Sequence, residues 1–173
     1  MTVKSKPVVT LSTPSDRELV ITAVVDAPRR LVWEASTKPE HVKRWWGPRR
    51  FTMTVCEIDL RPGGAWRYAL RDSDTGREDA WSGVYREIAA PERAVYTEGW
   101  EAMPGHEYLV TATYDEKDRK TTICTPCTDP GFASTSPLPI AIEHADPGGV
   151  SWTKRISSLT VWSWSALKPT CLV

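Results

Sequence analysis

Residues 17–25, Arg-Glu-Leu-Val-Ile-Thr-Ala-Val-Val, are β-branched and partly alternating, which predicts a first strand. Asp26-Ala27-Pro28 then offers an N-cap just ahead of a helix-compatible proline, and a helix is expected through Leu31, Trp33 and Ala35 to about Ser36. Lys38-Pro39-Glu40 opens a second short helix that reaches Trp45 and Trp46. It stops there because Pro48 pushes Gly47 out of the α region. Strands follow at Phe51–Leu60, Gly64–Arg71, Ala80–Ile88, Arg93–Trp100, His106–Asp115 and Lys120–Ile123, separated by short Gly, Pro or charged turns. Such spacing predicts an antiparallel meander. Residues 1–16, polar and with two prolines, are expected to form a loose N-terminal arm.

Past Ile123 the pattern breaks. Of the 22 basic and 22 acidic residues, only six lie in the last 50, which also hold six of the 14 prolines and three of the four cysteines. Cys124-Thr-Pro-Cys-Thr-Asp-Pro, Ser136-Pro-Leu-Pro and Asp146-Pro-Gly-Gly oppose any long element, and Val161-Trp-Ser-Trp-Ser alternates like a strand. A solvated tail is normally charged and a packed one periodic; residues 124–173 are neither.

The length of 173 residues fits one domain. Zero formal net charge argues against nucleic-acid or anionic-membrane partners, which call for a basic face. With no long apolar run and no signal-like N-terminus, a soluble cytoplasmic protein is expected. Cys124 and Cys127 form a lone C-x-x-C without two further ligands at zinc spacing or a following helix, so these thiols are read as incidental. No metal site, phosphate loop or cofactor motif stands out.

Nine tryptophans are the anomaly of the composition. Alternation places Phe51, Met53 and Val55 on one strand face, Trp66 and Tyr68 on another, and Trp81 and Tyr85 on a third, with Gly83 leaving space between two rings. That is more bulk than a thin core needs. A cavity lined by Trp33, Trp46, Phe51, Met53, Trp66, Tyr68, Trp81, Tyr85, Tyr96 and Trp100 suits a small hydrophobic or aromatic ligand. Ionisable candidates for the cavity are Glu57, Arg67, Glu87, Glu98 and His106; alternation puts Glu57 with Phe51 and Met53, and Glu87 with Trp81 and Tyr85. If catalysis occurs, Glu57, Glu87 and Arg67 are its candidates. No nucleophile stands in a recognisable setting, so binding is the first reading and enzyme the second.

Val24-Val-Asp-Ala-Pro-Arg-Arg-Leu-Val-Trp33 resembles the opening signature of the SRPBCC (START-like, helix-grip) superfamily. Pro39–Pro48, Asp59–Trp66 and Gly83–Ile88 with Pro91-Glu-Arg93 are similar to its bacterial branch named after the activator of the heat-shock chaperone ATPase. The resemblance covers residues 17–123 and implies an α+β fold. A curved antiparallel sheet, with two short helices between strands 1 and 2, would grip a long C-terminal helix that this chain does not evidently supply. It also implies a ligand cavity, with two alternatives: a polyketide cyclase or aromatase-like enzyme, and a co-chaperone that stimulates a heat-shock ATPase. The loss of charge, periodicity and resemblance at one point suggests that residues 124–173 are an atypical tail, either translated from a shifted reading frame or otherwise replacing the native end, or else a disordered segment. Resequencing the coding DNA, and finding a helix-encoding alternative frame after Ile123, is the expected outcome; close relatives carrying the same tail in an unbroken frame would exclude it.

Overall fold

A computed structural model describes residues 8–15, 17–48, 50–128, 140–141 and 155–156. Eight strands form one antiparallel sheet: β1 (Val8–Ser15), β2 (Glu18–Val25), β3 (Phe51–Ile58), β4 (Ala65–Asp72), β5 (Glu78–Ala89), β6 (Arg93–Trp100), β7 (Glu107–Lys117) and β8 (Lys120–Thr128). Their spatial order is β1-β2-β8-β7-β6-β5-β4-β3. Helices α1 (Arg29–Thr37) and α2 (Pro39–Val42) connect β2, near one edge, to β3 at the other. They therefore cross one face of the sheet, as the expected α+β helix-grip architecture requires. The two-residue strands β9 (Ile140–Ala141) and β10 (Arg155–Ile156) pair separately.

Three expectations change. Residues 8–15 are not a loose arm but an edge strand on β2, with its register broken between Ser12 and Ser15. Pro14 falls in that break, where an edge tolerates a missing N–H. Lys120–Ile123 is only half a strand: β8 continues to Thr128 through the whole C-x-x-C. The local breakers are outweighed by pairing with β2, from Val25↔Thr121 to Glu18↔Thr128. Pro126 falls in the unpaired gap of the β7 ladder between Cys127↔Val110 and Cys124↔Thr113, where the register is the same on either side. Asp26 does not cap α1. Pro28 is the N-cap residue without a side-chain bond, and Arg29 N donates instead to Glu116 Oε2 of β7 at 2.8 Å. The remainder of the tail, including Val161–Ser165, lies outside the described residues.

Leu19, Ile21, Ala23 and Val25 of β2 and Thr121, Ile123, Thr125 and Cys127 of β8 are all buried. The two buried threonines are satisfied locally, Thr121 Oγ1 donating to Ala27 O and Thr125 Oγ1 to Ile21 O. Residues three apart on a strand face opposite ways, so Cys124, half-buried, and Cys127, buried, cannot act as one pair. Among the described residues no cluster of His, Cys, Asp or Glu could hold a metal ion, and no helix is long and apolar enough to cross a membrane.

The aromatic plug after α2 is held from both sides. Trp45 Nε1 donates to Ala35 O of α1 at 2.9 Å. Gly47 turns the chain at φ +94°, where a Cβ would stand 2.7 Å from Leu70 Cδ1. Gly83 does not leave the expected gap. A Cβ there would lie 1.7 Å from Thr97 O and 2.8 Å from Trp66 Nε1, because that indole reaches across to donate to the same carbonyl at 3.2 Å. The glycine is thus a close-packing site on β5. Gly83→Ala should destabilise the fold by about 2–3 kcal/mol, since backbone on the β6 side must move; the urea unfolding midpoint measures it, and an unchanged midpoint would contradict the packing described.

Candidate functional site

Between the helices and the sheet lies a cavity of about 50 Å³. Ser36, Thr37, Val42, Trp45 and Trp46 close it from the helix side. Trp66 and Tyr68 of β4, Tyr85 of β5, Ala94, Tyr96 and Glu98 of β6, and Ala112 and Tyr114 of β7 form its floor. These floor residues recur at every second position, as a single sheet face demands.

Five of the ten expected lining residues are there: Trp46, Trp66, Tyr68, Tyr85 and Tyr96. The other five pack around it. Trp33 sits edge-on to Tyr114 at 5.2 Å, and Trp81 stacks on Trp100 at 6.5 Å with 14° between planes. Phe51 and Met53 are partly buried against the core near its margin. Sequence reasoning did not include Tyr114, Ala94 and Ala112, nor the helix residues Ser36 and Thr37, whose backward hydrogen bonds within α1 gave no outward signal. Alternation along β7 from Val110 was the available clue to Ala112 and Tyr114.

The three catalytic candidates are elsewhere, Arg67 by plain alternation between Trp66 and Tyr68 and the two glutamates because of bulges. In β3, Met53 pairs with Leu70 but Val55 with Ala69, so Thr54 is an extra residue. The bulge reverses the phase: Cys56, opposite Tyr68, turns inward and Glu57, opposite Arg67, turns to solvent. In β5, Tyr85 pairs with Tyr96 but Glu87 with Val95, so Arg86 is extra. Ile88 then faces with Ala94, and Glu87 is an exposed partner of Arg93 at 2.8 Å. Arg67 grips Glu101 through Nε and Nη2 at 2.8 and 3.0 Å, which lowers the Glu101 carboxyl below its ordinary value. His106 lies in the turn before β7 and is not among the lining residues. Of the five ionisable candidates only Glu98, 5% exposed, reaches the cavity.

The walls are tightly cross-packed. Trp46 meets Tyr68 edge-on at 4.9 Å, Trp66 meets Tyr96 at 5.9 Å and Tyr85 meets Tyr96 at 5.8 Å. Several lining donors are spent on backbone carbonyls. Ser36 Oγ donates to Val32 O at 2.8 Å, Thr37 Oγ1 to Trp33 O at 2.8 Å, Trp45 Nε1 to Ala35 O and Trp66 Nε1 to Thr97 O. Burial raises all four phenols, Tyr68 and Tyr96 well above the ordinary value and Tyr114 to about 12.

Comparison with known proteins fits this geometry. The family model described as Activator of Hsp90 ATPase homolog 1-like protein matches residues 26–155. The chain belongs to that family. The match reaches beyond Ile123, where the motifs read in the sequence end. Among solved structures, protein Ms6760 from Mycobacterium smegmatis is 26% identical with a TM-score of 0.63, over 72% of this chain and 80% of its own. A protein from Rhodobacter sphaeroides is 21% identical with a TM-score of 0.65, over 70% of this chain and 78% of its own. DynU16, of the dynemicin biosynthetic locus, is 24% identical with a TM-score of 0.53, over 69% of this chain and 39% of its own. They share the fold of this chain. No curated protein matches it.

Two predictions follow from this geometry. Glu57→Gln and Glu87→Gln, both outside the cavity, should leave thermal stability within about 0.5 kcal/mol of wild type by denaturant unfolding. The phenols titrate near 10 in an unfolded chain and higher when folded. Their contribution to stability is therefore complete below about pH 10 and is lost as pH rises through the folded values. Phenolate absorbance followed together with circular dichroism should show these tyrosines ionising only as the fold is lost; ionisation of all five tyrosines while the dichroism stays native would refute it.

Proposed function

We propose that this domain binds a small apolar molecule in the cavity between its sheet and its two helices. The observation carrying this reading is the wall itself: seven aromatic side chains and two alanines around an open space, with few polar tips to fix orientation. Volume sets the scale. Drug-sized ligands occupy about 300–1,000 Å³, and benzene fills an engineered cavity of about 150 Å³. A space of about 50 Å³ suits a guest of a few heavy atoms, at the small end of the hydrophobic or aromatic ligands expected from the ring count.

The enzyme reading rests on one residue in place of three. Glu98 is the carboxylate at the cavity, and it would hold or move the proton in cyclase-like chemistry. The family description supports a third reading, a surface that stimulates a heat-shock ATPase. In that case cavity substitutions would leave stimulation of a purified chaperone unchanged.

Titration of the full chain with 1-propanol should give a saturable change in tryptophan emission, because Trp45, Trp46 and Trp66 border the cavity. Ala112→Leu, which fills the space, should weaken that response by about tenfold or more. A linear, non-saturating response in wild type, or an identical curve in Ala112→Leu, would remove the binding reading.

A further inference from the structure

The two edges of the sheet are guarded unequally. An edge strand presents a row of unpaired N–H and C=O groups, and charges, bulges or prolines usually keep other chains off it. β3 carries such guards: Thr54 bulges out of its ladder, Glu57 is exposed near its end, and Arg50 just ahead of it is tied to Asp72. β1 carries none over Val8-Val-Thr-Leu-Ser12, and its register break and Pro14 come only afterwards. No residue of β1 is charged, and among the described strands it pairs with β2 alone. The exposed large hydrophobic residues among the described ones are Val8, at 65%, and Val24, at 36%, and they are register partners at this same edge. Val9 and Leu11, pointing the other way, are half-buried. The large apolar side chains that folding leaves exposed therefore sit where the backbone is also unpaired.

We propose that the β1 edge is a dimerisation surface whose occupant is β1 of a second copy of this chain, running antiparallel about a twofold axis. Facing residues in such a pair lie on the same side of the sheet, so the axis must pass through a residue set opposite itself. Thr10 is the middle of the regular stretch Val8–Ser12. The register that uses all of this stretch sets Thr10 opposite Thr10, Val9 of one copy opposite Leu11 of the other, and Val8 opposite Ser12. Apolar then meets apolar on one face and hydroxyl meets hydroxyl at the axis, both favourable cross-strand pairs. The strand is its own complement. A charged strand from another protein would find no counter-charge along it, whereas the zero formal net charge of this chain leaves no overall repulsion between copies. The inference is independent of what the cavity binds.

A contact of two short strands is small, so a dissociation constant on the order of 10–100 μM is expected. Sedimentation of the full chain up to about 500 μM should show a reversible shift from monomer to dimer. Thr10→Lys and Thr10→Glu, each placing like charges face to face at the axis, should each weaken dimerisation by about tenfold or more. Mixing the two variants should restore it, because the charges then oppose one another. In the wild type, amide hydrogen exchange over residues 8–12 should slow as concentration rises, a readout that needs no variant. A chain that stays monomeric overturns the inference and leaves this edge to a strand from another protein. A dimer unchanged by both substitutions, or exchange over residues 8–12 that ignores concentration, places the contact elsewhere and overturns it as well. Weakened variants that do not recover on mixing overturn the Thr10-centred register.

Discussion

Side-chain phase along two strands governs what this fold can do. A strand presents alternate residues to opposite faces, and one extra residue exchanges the faces beyond it. Thr54 and Arg86 are such residues, in β3 and β5. Without them Glu57 and Glu87 would point at the rings, and Cys56 and Ile88 would point at water. With them the carboxylates are exposed, Glu87 within reach of Arg93, and the cavity retains one carboxylate, Glu98, from the unbulged β6. The chemistry of the site is set by register before it is set by residue choice.

Close approach supplies the rest of the definition. Trp66 reaches Thr97 O only because Gly83 has no side chain, and Thr97 Oγ1 in turn accepts from Val84 N at 3.0 Å. Trp45 ties the end of the α2 segment back to α1 through Ala35 O. Each of these contacts anchors a ring while consuming its only donor. The rings can then serve as apolar wall without leaving an unsatisfied N–H beside the guest.

Much of the fold was legible. Strand patterns at Phe51–Leu60, Ala80–Ile88 and Arg93–Trp100 and the helix-stopping Gly47-Pro48 are local signals, and their physics is local. The family motifs then assembled them into the helix-grip arrangement, which the family match and the eight-stranded sheet bear out. What escaped were features decided at a distance. Residues 124–128 look like breakers on their own and become part of a strand through β2 partners more than a hundred positions earlier (Thr22↔Cys124 to Glu18↔Thr128). Bulges leave little trace in hydropathy, because a skipped residue such as Thr54 is itself unremarkable in a strand. Half of the expected rings border the cavity and half pack around it for the same reason: composition identifies rings, whereas curvature and helix placement decide which of them border open space.

The sheet order also has a temporal side. Strands β3 to β7 pair only with chain neighbours, whereas β2 must wait for β8, whose residues 121–128 meet Val25 through Glu18. During synthesis the N-terminal hairpin therefore emerges first and finds its place late, after the meander has formed. Until then β1 and β2 carry an unpaired edge with Leu19, Ile21 and Val25 uncovered, and the two helices have only part of their floor. The cavity floor itself comes from β4 to β7, so the late pairing of β2 with β8 closes the sheet without supplying a lining residue.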